Sequence, residues 1–186
     1  MTTATTTEAT AISTWNIDPV HSNAEFKVRH MMISNVKGEF KGLTGTLKLD
    51  NTDLTKSSVE VALDATTINT GDAQRDAHLK SPDFFDVEKF PTLIFKSNRV
   101  SKNKDGVLTV AGELTIHGVT RNVVFEVEGP SAPTKDPWGN TRIGLSATTR
   151  INRKDFGLTW NASLEAGGIL VGEEVAISLD VQFIKA

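Results

Sequence analysis

The side chains that could do chemistry are the histidines at 21, 30, 78 and 117 and a run of carboxylates between Asp72 and Asp86. Metal binding wants ligands spaced to converge, and no histidine sits in an HxH or HExxH pattern. No metal site is expected. A thiolate nucleophile is excluded because the chain has no cysteine. A serine nucleophile would stand on a GxSxG elbow, and the sequence holds none. Asp72, Asp76, Asp83 and Asp86 fall in a polar stretch where capping and solvation account for them. Among the histidines, His30 alternates with Phe26 and Val28 on an apolar face, and His21 lies in a turn before that strand. His117 stands opposite Leu114 and Ile116 beside Gly118, and is expected to be exposed.

The elements that would carry these residues are mostly strands. Period-two alternation puts Ala24, Phe26, Val28 and His30 on one face, and the pattern returns in Val59–Ala65, Leu108–Ile116, Val123–Val127, Ile143–Ile151 and Val175–Phe183. Each run has one apolar and one polar face, as in an antiparallel sheet wet on one side. Between Lys37 and Asp50 the phase slips by one at Gly42, which predicts a bulge or sharp bend of the kind that lets a barrel turn a corner. Thr92–Val100 reads as a weaker strand. Thr70–Pro91 breaks the pattern and predicts one or two short helices, with Asp72 as a cap and Pro82 and Pro91 as stops. In all there are about eight strands joined by short turns.

The 186 residues suit one domain. Residues 1–13, mostly Thr and Ala, read as a flexible tail, and residues 14–186 as the folded unit. The tail lacks the basic start and apolar core of a secretory signal. A cytoplasmic home is expected if Met1 is the natural start; a periplasmic or secreted one is the alternative if the chain is processed. A net charge of −3, with both signs interspersed, offers neither the stripe that nucleic acid requires nor a polybasic membrane patch. No apolar run approaches the roughly 20 residues of a spanning helix.

Eight amphipathic strands either stack as two sheets or close into a barrel. A third option for their use is an interaction sandwich pairing through an edge strand. A barrel with strands of about 10 residues is roughly 33 Å deep. Its inward faces mix Phe with Gly and Ala, and alternation alone does not separate interdigitated packing from a hollow. A hollow lined by Val, Ile, Leu and Phe would suit a hydrocarbon chain, since each buried methylene contributes about 0.8 kcal/mol.

Six ordered motifs carry a resemblance: Ile17–Ser22 (IDPVHS), Phe26–His30 (FKVRH), Gly38–Asp50, Arg75–Asp86 (RDAHLKSPDFFD), Gly112–Arg121 and Ile151–Asn161 (INRKDFGLTWN). With these motifs the chain resembles the YceI-like family, the lipocalin-like polyisoprenoid-binding proteins, from Trp15 to Lys185. The resemblance implies an all-β, extended antiparallel lipocalin-like barrel of about eight strands, with one or two short helices at one end. It also implies a tunnel for a polyprenyl phosphate or an isoprenoid quinone, held without a catalytic cofactor. Many relatives carry signal sequences and this chain departs from them. The tunnel wall is assigned to Phe26, Val28, Phe40, Leu47, Val61, Leu63, Leu114, Phe125, Leu145, Ile177 and Leu179. A head group or rim would draw on His30, Arg75, His78, Phe84, Phe85, Arg153 and Trp160. For Arg153 a pairing with Asp155 is the structural alternative. The reading from another class is an enzyme acting on prenyl lipids or quinones through His30 or His78. Whether the chain forms a homodimer is open.

Overall fold

The computed structural model describes residues 11–186. The chain first runs as β1 (Ile12–Ile17) and β2 (Asn23–His30), turns over Met31–Ile33, and returns as β3 (Ser34–Phe40) and β4 (Thr44–Asp50). β1 pairs with β4 and β2 with β3, so the four form one long hairpin broken halfway. Both breaks have local causes. Pro19 has no N–H for a ladder, and the Asp18 side chain caps a single 3-10 turn over Pro19–His21. Across from it the chain leaves the ladder at Lys41–Leu43, with Gly42 in the left-handed region at φ 70°. The phase slip at Gly42 is therefore a corner between two strands.

The rest follows as β5 (Ser58–Asp64), α1 (Ala73–Lys80), β6 (Thr92–Lys102), β7 (Leu108–Ile116), β8 (Val119–Glu128), the two-residue β9 (Thr134–Lys135), β10 (Thr141–Asn152) and β11 (Val171–Lys185). β11 pairs with β10 along one edge and with β2 and then β1 along the other. That closes a ring of eight long antiparallel strands, with each arm of the broken hairpin counting once. Closure excludes the two-sheet sandwich.

Strand direction sorts the loops to two ends. One end gathers residues 31–33, 65–91, 117–118 and 153–170, and holds α1 as a lid; the other gathers 51–57, 103–107 and 129–140. In α1, Asp72 accepts from the Arg75 backbone N–H at 2.8 Å, and the helix stops at Ser81 before Pro82. The stretch from Thr70 to Pro91 thus holds a single α-helix followed by turns. β1 begins at Ile12, so the last residues of the segment read as a tail belong to the sheet; Met1–Thr10 lie outside the described residues. β8 and β10 pair only over Glu126–Glu128, and beyond that the seam is filled by a 3-10 turn over Arg153–Phe156, with Phe156 fully buried.

Candidate functional site

A narrow cavity runs through the barrel. Its volume is about 230 Å³, and its wall extends along β11 from Val171 to Phe183, roughly 40 Å of strand or about 30 Å along the axis of a tilted barrel. Such a volume spread over that length is a bore one hydrocarbon chain wide. All eleven residues assigned to the wall from sequence line it. Several of them, including Phe26, Val28, Val61, Leu63, Leu145, Ile177 and Leu179, are only half-buried although they point inward. In a filled core such side chains would lose all their accessible surface. Their remaining surface faces the bore.

The glycines on the inner face do not make the hollow. A Cβ at Gly38 would run into the Phe26 ring, and one at Gly112 into the Lys96 carbonyl and the Phe95 ring. At these positions small sits under large, which is interdigitation. The bore comes instead from facing Val, Leu and Ile side chains that stop short of one another.

Leu79, Phe84 and Phe85, from α1 and the turn after it, cover the lid end of the bore. Phe85 meets Phe40 edge-to-face at 5.6 Å, which seats the lid on the barrel. Trp160, from the β10–β11 loop, packs on His78 at 4.7 Å and on Phe84 at 5.4 Å, outside the wall. His78 bonds Asp83 at 2.8 Å and does not line the bore. Arg75 also turns away, donating to the Thr70 hydroxyl at 2.7 Å and the Thr70 carbonyl at 2.9 Å. His30 ends β2 half-buried and off the wall. His117 is half-buried rather than exposed, because its left-handed backbone (φ 55°) turns the ring onto Phe90 at 5.0 Å.

Arg153 is the charged residue on the bore that matters most. It is 3% exposed and makes no ion pair with Asp155 or any other described carboxylate. Its Nε donates to Gly172 O at 2.7 Å, Nη1 to Leu158 O and Trp160 O at 2.6 and 2.9 Å, and Nη2 to Val171 O at 3.2 Å. Burial pushes its pKa down, with Glu173 opposing. Among five guanidinium N–H groups, one on Nη2 has no acceptor among the described residues. Among the described residues no three His or carboxylate groups converge as a metal ion would need. No described helix is long and apolar enough to cross a membrane.

A YceI-like domain model matches residues 15–183. The chain belongs to the YceI-like family. A UPF0312 protein of Staphylococcus aureus (strain N315) is 33% identical over 173 residues, 92% of this chain and 98% of the relative. The crystal structure of the Campylobacter jejuni YCEI protein superposes with a TM-score of 0.70 at 28% identity, covering 86% of this chain and 91% of that one. A polyisoprenoid binding domain from Saccharophagus degradans shares the fold, with a TM-score of 0.66 at 14% identity over 92% of this chain and 98% of that one.

In this YceI-like barrel the geometry also shows a cluster that local sequence does not reveal. Arg142 Nη1 meets Asp18 at 2.5 Å and its Nε meets Asp136 at 2.7 Å, while His21 Nδ1 bonds Asp18 at 2.8 Å. This knot ties the β1–β2 break to β10 and to the long β8–β10 loop. The Arg142 guanidinium, helped by His21, holds the Asp18 carboxyl down at about 2. Burial resists ionisation of Asp136, yet hydrogen bonds from Arg142, Asn140 and backbone N–H groups keep it below the carboxylate range. The Asp-Pro-x-His motif marks Asp18 and His21, but nothing near them in sequence points to Arg142.

Proposed function

We propose that the barrel binds a long isoprenoid chain, as in a polyprenyl phosphate or an isoprenoid quinone, and serves as its carrier or store without catalysing a reaction. The observation that carries this reading is the bore itself, apolar along its wall and too narrow for anything but an extended tail. A structural neighbour from Saccharophagus degradans is described as a polyisoprenoid binding domain, which agrees with it. Each methylene moved from water to the wall contributes about 0.8 kcal/mol, so a tail of tens of carbons outweighs the cost of ordering it. The head would sit at the lid end, where the spare Nη2 proton of Arg153 offers a charge-assisted bond to a phosphate or quinone oxygen. His30 and His78 do not line the bore, and the geometry gives them no acid or base role on a bound tail.

Native mass spectrometry of protein purified from cells tests this directly. The expected result is an added mass that organic extraction releases and that fragments as an isoprenoid. Protein that carries no lipid, and takes up none when incubated with a polyprenyl phosphate or a long-tailed quinone, would overturn the reading.

A further inference from the structure

We propose that the β2–β3 hairpin tip is a docking element for an anionic lipid bilayer, which sets the lid end of the bore against the membrane surface. Met31, Met32 and Ile33 are consecutive and 41%, 58% and 75% exposed. Other large apolar residues exposed among those described, such as Val20 and Trp138, stand singly. Folding does not ask for this tip. Met31 and Met32 sit at φ 51° and 62°, left-handed positions where Asn and Gly are the low-cost residues. The turn is held by Met31 N–H donating to Leu170 O at 2.7 Å, Ile33 N–H to His30 O at 3.2 Å and Arg29 Nη2 to Met32 O at 3.1 Å, none of which needs an apolar side chain at the tip. The Met32 thioether lies against Gly168, but Met31, Ile33 and the outer part of Met32 keep apolar surface that no packing within the described fold uses.

The charge just behind the tip says which contact. Lys27 and Lys37 stand directly opposite each other on the two strands, with Arg29 one step nearer the tip on the same outer face. None of the three has a carboxylate partner among the described residues. Like charges placed opposite one another weaken a strand pair. The chain has no basic run in sequence; the hairpin assembles the cluster by cross-strand register. An apolar wedge backed by unpaired cations is the chemistry of an interface between acyl chains and anionic head groups. The attraction is local to the outer end of the hairpin, since Glu25 and Glu39 form the next pair behind the lysines on the same face and the lid at this end carries Asp72 and Asp83. The tip flanks the end of the bore, where Val28 of the same hairpin and Val171 line the wall.

Vesicle flotation of the full chain tests the assignment, using phosphatidylcholine vesicles with and without phosphatidylglycerol. Binding is expected to be stronger with phosphatidylglycerol and to weaken with salt. The triple variant Met31→Asn, Met32→Gly, Ile33→Thr is expected to float roughly tenfold less, or lower still. Its turn residues suit the backbone, so its thermal midpoint is not expected to fall. Lys27→Gln with Lys37→Gln is expected to weaken the phosphatidylglycerol preference by about fivefold per charge. Trp138→Ser, at the opposite end, is expected to change nothing. The assay is run on lipid-extracted and lipid-loaded protein, so it stands whether or not the bore takes an isoprenoid. A wild type that floats with neither vesicle, or a triple variant that floats like the wild type, would overturn the proposal. So would a concentration-dependent dimer that the triple variant abolishes, which would assign the tip to a second copy.

Discussion

Asp18 shows how a single residue can hold two distant pieces of a barrel. Its partner Arg142 is 124 positions away, and the pair reaches across β11, which lies between β1 and β10. With its pKa lowered to about 2, Asp18 contributes stability that is fully present above the ordinary carboxylate range and is lost as pH falls through about 2. Asp18→Asn is expected to cost roughly 1–2 kcal/mol at neutral pH. The difference from wild type should narrow below about pH 4 and vanish near pH 2; urea melts over that range measure it. Asp136 acts in the same direction on the same arginine. Arg153 works otherwise, as a cation inside the loop that it organises. Lysine has one nitrogen where arginine has three, and cannot serve Gly172, Leu158, Trp160 and Val171 together. Arg153→Lys is expected to cost about 2–4 kcal/mol by leaving buried carbonyls unpaired, read as a lowered urea midpoint.

At the scale of elements, the strands were legible because alternation is a direct record of which side faces inward. Val175 to Phe183 reads as a strand and is the centre of β11, and the slip at Gly42 reads as a corner and is one. What the pattern does not carry is the depth to which each side chain reaches. Gly38 and Gly112 share an inward face with phenylalanines, and sequence cannot say whether a ring leans over each glycine or leaves a gap. The structure leans Phe26 over Gly38, so the bore lies elsewhere. Nor could the register that stacks Lys27 on Lys37, or the turn that exposes Met31–Ile33, be read without knowing where the hairpin folds back. The Phe26–Gly38 contact makes a prediction about β2 and β3 together. Gly38→Ala would force the Phe26 ring to swing, and the free space available to it is the bore. The expected cost is about 1–3 kcal/mol from overpacking, with weaker uptake of a long tail; thermal melts and lipid-uptake titration check the two effects separately.

For the whole molecule, the bore sets stability and function against each other. A closed ring of eight strands could fill its interior, and this one leaves inward-facing Val61, Leu63, Leu145 and Leu179 half-buried. Unmade contacts along such a wall weaken the empty protein relative to a packed core, and the tail proposed above would restore them. Two consequences follow for the same molecule. Lipid-loaded protein should melt above lipid-extracted protein, and the gap should widen with ligand concentration. Filling the middle of the bore by Val61→Phe together with Leu179→Phe should instead raise the melting point of the extracted protein, because the rings take up free space. The plugged variant should keep a short apolar probe that needs only the lid-end half and reject a full-length polyprenyl chain. Differential scanning fluorimetry and native mass spectrometry with probes of two lengths read both outcomes. A plugged barrel that still takes the long chain would mean that the tail runs along some other surface, because two added rings in a bore this slender leave no path between its ends.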